Sequence, residues 1–167
     1  MIKLIGIGGS GCNTVNSICL RGMQGISFAL VNREKLEMYS ADVKKICVGI
    51  DEEHMDETLR QLQVDNPQTL IVVAGMGGRY SAKVAAALCR LHKSVEGSQS
   101  IAFVTMPFSF EARNKKATED LALVSQYASR VVTFDNNSLK QILDKSMADA
   151  FRMVDDEVIK IIDSVRR

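Results

Sequence analysis

Tryptophan is absent from this chain, and there are only two prolines, Pro67 and Pro107. Aromatic residues make up 5% of the sequence, too few for the platform of stacked rings that single-stranded nucleic acid needs. Histidines number two, His54 and His92, and none of the four cysteines, Cys12, Cys19, Cys47 and Cys89, forms a CxxC pair. Zinc sites draw on closely spaced Cys and His, so no metal centre is expected, and the thiols read as reduced residues in or near a core. No apolar run approaches the roughly 20 residues that span a bilayer. The N-terminus has no charged segment followed by a long apolar one, so a cytoplasmic location is expected. A dominant charge is lacking too: the net charge of +1 and pI of about 7.6 create no global field for a polyanion or an anionic membrane. Internal repeats, low-complexity segments and linkers are also missing.

What is present suits one globular domain with a single core: 167 residues, 46% hydrophobic and 25% charged. Short β-like runs alternate with longer helical ones. Strands are expected at 2–8, 26–32, 45–50, 69–75, 100–106 and 130–136. Helices are expected at 11–22, 51–63, 80–93 and 111–128, with a helical tail in two pieces from 138 to 167. The run "TLIVVAG" is the clearest strand, being apolar and β-branched. This alternation predicts a three-layer, Rossmann-like α/β fold: a mostly parallel six-stranded sheet with helices on both faces. Ligands of such folds sit beyond the C-terminal strand ends, near the switch in strand order. Three unusual stretches lie there: Gly8–Asn13, Gly75–Lys83 and Pro107–Lys115.

The first stretch is Gly6-x-Gly8-x-x-Gly11, between a strand and a helix. Glycines there let the backbone approach a diphosphate held on the helix N-terminus. A dinucleotide site is one reading, with Glu34 as the ribose acid. A turn required only for close strand–helix packing is the other. Cys12, near that helix start, reads either as a thiol of lowered pKa or as a small residue near backbone.

The second glycine stretch adds what a dinucleotide fold does not ask for. "GIGGSGCNTVN" (6–16), "VAGMGG" (73–78), "VTMPFSFEARNKK" (104–116), "DNNSLKQIL" (135–143) and "DAFRMVDDEV" (149–158) together resemble the nucleotide-binding domain of FtsZ, the tubulin-related GTPase of bacterial cell division. The motifs follow the family's order and span almost the whole chain. The resemblance implies a single FtsZ-like domain over 1–167, with GTP or GDP as the ligand and Mg²⁺ only alongside nucleotide. Gly8, Gly9, Ser10, Gly11, Cys12 and Asn13 resemble the segment that holds the α- and β-phosphates. Gly75, Met76, Gly77 and Gly78 resemble the start of the second phosphate loop. Glu111 resembles the ribose acid, and Lys115 the basic residue four positions later. Asn136 resembles the amide that reads the guanine edge, Phe151 the ring stacked on the base, and Asp155 the guanine-reading acid, with Asp156 as the alternative.

Four departures shape the expected function. The family's second loop continues with glycine and threonine, where this chain has Arg79, Tyr80, Ser81, Ala82 and Lys83. Strand three runs into the acids Asp51, Glu52 and Glu53 with almost no loop, so no γ-phosphate sensor is expected. Asn32-Arg33-Glu34 stands for the family's Asn-Thr-Asp. The acidic loop that activates water on a neighbouring subunit, and the second domain, lie beyond Arg167 in the family. The resemblance therefore implies no intrinsic GTPase activity. It implies a diverged protein with weakened or lost guanine-nucleotide binding that acts through protein contacts, capping or regulating FtsZ-type filaments. The alternative is a GTP- or GDP-binding protein that assembles with itself or a full-length relative, with hydrolysis only in trans. A dinucleotide oxidoreductase is a third reading, with no acid–base pair to support it. Base and ribose contacts are expected to be better kept than phosphate contacts.

Overall fold

The central apolar runs become strands because they are buried on both faces, and only the middle of a parallel sheet offers that environment. The computed structural model describes residues 1–33, 36–40, 43–47, 52–62, 66–144 and 146–167. Among them are six strands: β1 (Ile2–Ile7), β2 (Ile26–Asn32), β3 (Lys44–Cys47), β4 (Thr69–Gly75), β5 (Gln99–Met106) and β6 (Arg130–Asp135). The helices are α1 (Gly8–Leu20), α2 (Glu52–Leu62), α3 (Ser81–His92), α4 (Asn114–Tyr127), the single turn α5 (Lys140–Leu143) and α6 (Met147–Val165). Two 3₁₀ turns, Leu36–Met38 and Asn136–Leu139, complete the elements among the described residues. The strand order is β3-β2-β1-β4-β5-β6, and every described pairing is parallel.

Alternation along the strands splits the core into two layers. Ile5, Val72, Ala102 and Val104 pack with α2, α3 and α4 residues such as Leu59, Val84 and Val124. Leu4, Ile71, Val73 and Phe103 pack with α1 and α6 residues such as Val15, Val158 and Ile162. Each fully buried aliphatic side chain contributes about 1.5–3 kcal/mol. Helix α6 buries Ala150, Val154, Val158, Ile161 and Ile162, one helical stripe, and Ser146 caps it by accepting from the Asp149 N–H at 3.2 Å. Ile159 and Val165 also pack on this layer, so the chain's own fold covers its apolar tail.

Two helix starts differ from the sequence reading. Periodicity places the first helix at 11, whereas α1 begins at Gly8, directly after β1. The reason is Gly8 itself, whose φ of +74° turns the chain without a loop. The fourth begins at Asn114, not 111, so Glu111 lies in the turn before it. Gly11 then fixes how closely α1 lies on the sheet: a Cβ there would run into the backbone carbonyl oxygen of Val73.

Candidate functional site

The C-terminal ends of the strands are level, with Ile7 paired to Val31 and Ala74, Gly75 to Thr105, and Met106 to Asp135. The loops therefore leave along one edge of the sheet. Strand order reverses between β1 and β4, and a cavity of about 400 Å³ opens there. That is within the usual size of a small-molecule pocket. Helix α1 contributes Gly8, Gly9 and Ser10 to its lining, and the end of β4 contributes Gly75 and Met76. Gly78, Arg79, Tyr80 and Ser81 lead into α3; Thr105, Pro107, Arg113 and Asn136 close the β5–β6 side.

The lining of the cavity has the chemistry to accept an anion. Helices α1, α3 and α4 all start at this edge, and none has a side-chain hydrogen bond at its N-cap. Their first N–H groups and dipoles thus face the edge without the internal acceptor that Ser146 supplies to α6. Among the described lining residues two are arginines, Arg79 and Arg113, and none is acidic. Phosphate is the oxyanion that this combination suits.

The second loop is held in place by two backbone bonds. Met76 N donates to the Thr105 carbonyl at 2.9 Å, and Gly77 N donates to Asp120 Oδ2 at 2.8 Å. Asp120 is a buried carboxylate on α4, and Lys116 Nζ bonds both of its oxygens at 2.9 and 3.0 Å. Two amides of the loop, those of Met76 and Gly77, are therefore bonded internally. Tyr80 reaches across the edge, and its hydroxyl donates to Asn32 Oδ1 at the end of β2, at 2.5 Å.

The family model described as "Tubulin/FtsZ family, GTPase domain" matches residues 44–144, more than half of the chain. The chain belongs to the tubulin/FtsZ family. It is 29% identical over 184 residues to the cell division protein FtsZ 2 of Methanocaldococcus jannaschii, covering 98% of this chain and 48% of that protein. With FtsZ of Rickettsia typhi the identity is 27%, over 93% of this chain and 39% of the relative. The chain thus spans about half the length, or less, of these curated relatives. Solved structures agree on the fold. An FtsZ dimer from M. jannaschii superposes with a TM-score of 0.73 at 23% identity, over 96% of this chain and 52% of that one. A GTPγS-bound CetZ2 protofilament from Haloferax volcanii gives 0.75 at 18% identity, over 96% and 56%.

Within this FtsZ-type fold, the residues singled out from the sequence fall into two sets. Gly8, Gly9, Ser10, Gly75, Met76, Gly78 and Asn136 all line the cavity. The others lie around it. Gly11 packs on β4, and Gly77 turns its N–H to Asp120. The Cys12 thiol is buried and donates to the Gly6 and Val31 carbonyls at 3.5 and 3.4 Å. Burial pushes it up to about 12, against the pull of the Val31 carbonyl, so it is a packing residue and not a thiolate. Asn13 accepts from the Tyr39 hydroxyl at 2.8 Å. Glu111 accepts from Phe108 N at 2.9 Å and from Arg113 at 3.0 Å. Lys115 is exposed on the first turn of α4.

Phe151 and Asp155 stand on α6, outside the described lining of the cavity. Phe151 is exposed, at 55%. Asp155 is buried and accepts from Ser17 Oγ at 2.6 Å and Arg21 at 3.5 Å. Burial raises its pKa, and the Ser17 and Arg21 contacts act against that. Asp156, the alternative, pairs with Arg21 at 3.0 Å in the open. Glu34 and Asp51 lie outside the described residues, as do 48–50, so the expectation about a γ-phosphate sensor falls there. Arg113, Thr105 and Ser81 were not singled out as ligand-holding residues. Their signal is positional: Thr105 is the penultimate residue of β5, Arg113 directly precedes α4, and Ser81 opens α3.

Proposed function

We propose that this chain binds a guanine nucleotide, weakly, across the C-terminal edge of its sheet, and that it acts by associating with FtsZ-type subunits in a cell-division or cytoskeletal setting. The observation that carries this reading is the cavity at the β1–β4 switch point, whose described lining holds no acid and where uncapped helix starts and two arginines converge. Such a site suits phosphates without further recruitment. Gly8, Gly9 and Ser10 would hold one phosphate, Gly78 in the loop before α3 and Ser81 at its start would face it, and Arg113, which also bonds Glu111, would supply a cation from the β5 side. Asn136 is the lining amide available to a base edge. GTP and GDP are the expected ligands, with Mg²⁺ only alongside nucleotide.

Hydrolysis by the chain's own lining residues is not part of this reading. A general base must reach the attacking water, and no carboxylate or histidine is among the described residues of the lining. Phosphate release from GTP should therefore be absent with this protein alone. Release only in a mixture with a full-length FtsZ-type relative would favour assembly with hydrolysis in trans. Binding itself is tested by calorimetric titration of nucleotide-stripped protein with GDP and GTP, with and without Mg²⁺. Saturable heat with a dissociation constant on the order of 0.1 mM is expected. No heat at millimolar nucleotide, from protein shown to be folded, contradicts the reading.

One observation favours a second reading. The Gly77 amide, in the loop that resembles a phosphate loop, is bonded to Asp120. A loop released from phosphate duty and kept as a protein-contact surface, capping or regulating filaments, would look this way. The same titration separates the two.

A further inference from the structure

We propose that Tyr80 makes this cleft selective for a nucleoside diphosphate by walling off the place a third phosphate would take. This rests on the nucleotide-binding reading above and adds the ligand class. The cavity gives a bound nucleotide a direction. Of its anion-binding features, the starts of α1 and α3 lie at the β1 and β4 ends and Arg113 with the start of α4 follows β5, while Asn136 lies at the far end, after β6. Phosphates therefore point toward β1, and the base toward β6. From β1 to β6 along the order β1-β4-β5-β6 is three strand spacings, ~14 Å at ~4.8 Å each. Lengthening the phosphate chain moves its end past β1, toward β2.

That direction is closed. Tyr80 leaves the start of α3 above β4, lines the cavity, and ends on Asn32 at the last residue of β2. Its side chain therefore crosses the end of β1, which lies between β4 and β2. The ring packs on the buried cluster beneath α3, and the 2.5 Å bond to Asn32 holds its tip. A side chain fixed at both ends cannot yield to a further phosphoryl group without losing that bond. No described β2 residue lines the cavity on the near side of this barrier. A steric barrier against the longer ligand is a direct way to separate two ligands that share every other contact.

The experiment is competition binding of GDP and GTP to nucleotide-stripped wild-type protein, Tyr80→Ala and Tyr80→Leu. Leucine retains apolar packing under α3 but cannot span to Asn32, so it serves if the alanine variant does not fold. Wild-type protein is expected to prefer GDP by about tenfold or more. Either folded variant should gain about tenfold in GTP affinity, with GDP changed less than about threefold. Equal binding of GDP and GTP by the wild type, or a folded variant that keeps the wild-type preference, overturns the role of Tyr80 and leaves nucleotide binding standing. Failure of wild type and variants alike to bind either nucleotide overturns the nucleotide reading, and this inference with it.

Discussion

Gly11→Val is expected to leave no stably folded protein, and Gly11→Ala to lose at least ~3 kcal/mol. The added Cβ would be driven into the backbone carbonyl oxygen of Val73 on β4. Neither partner can swing aside, because one is a helix backbone and the other a central strand. Total stability of a domain this size is only about 5–15 kcal/mol, so the valine variant should lose most of it. Gly9 is the control. A Cβ there meets nothing within 4 Å, so Gly9→Ala should change stability by less than ~1 kcal/mol. Thermal melts followed by circular dichroism compare the three. Equal stability of Gly9→Ala and Gly11→Ala would mean that α1 does not lie on β4 as described.

Asp120→Ala should cost ~2–4 kcal/mol and weaken GDP binding severalfold. The buried carboxylate accepts from the Gly77 amide and from Lys116. Its removal leaves the amide unsatisfied and the ammonium without its partner. The loop at Gly75–Gly78 then loses the bond that fixes its shape beside the cavity, and a less ordered loop must be ordered by the ligand. Denaturant unfolding reads the first effect and GDP titration the second. Tighter GDP binding in a folded Asp120→Ala variant would instead favour the second reading, in which Asp120 occupies an amide that a phosphate once used.

The sheet was legible because its strands are unusually plain. Thr69–Gly75 is almost wholly apolar and β-branched, and Ile2–Ile7 is apolar apart from Lys3, whose ammonium is buried and donates to the Leu62 carbonyl; a doubly covered parallel sheet accommodates such runs. The parallel pairing and the edge that carries the loops follow from the alternation of strand and helix, whereas the order β3-β2-β1-β4-β5-β6 rests on strand contacts that alternation does not specify. The start of α1 was not legible, since periodicity cannot show that Gly8 turns directly into the helix. The glycine motif divides in two: Gly8, with its neighbour Gly9, lines the cavity, whereas Gly6 and Gly11 serve strand–helix packing. Spacing alone does not separate these roles.

The site was legible in outline and not in its connections. Arg113 was hidden because Glu111 and Lys115 read as one helical face, while the helix starts only at Asn114. Asp120 carries no local signal, being an acid within an amphipathic helix, and its partner Gly77 is 43 residues away. Tyr80 and Asn32 are 48 residues apart. Asp155 reads along the chain as a candidate base-reading acid, but its bonds to Ser17 and Arg21 exist only once α1 and α6 pack together. Each of these contacts joins two elements, and a one-dimensional pattern records only one of them at a time.

Hydrogen exchange with and without GDP tests the central claim, that the C-terminal edge of the sheet at the β1–β4 switch is the ligand site. Added GDP is expected to slow exchange of the amides at 8–10, 75–81 and 136, leaving the opposite edge around 66–68 and 92–95 unchanged. Unchanged exchange at 8–10 and 75–81 under saturating GDP, or protection confined to the opposite edge, would contradict it.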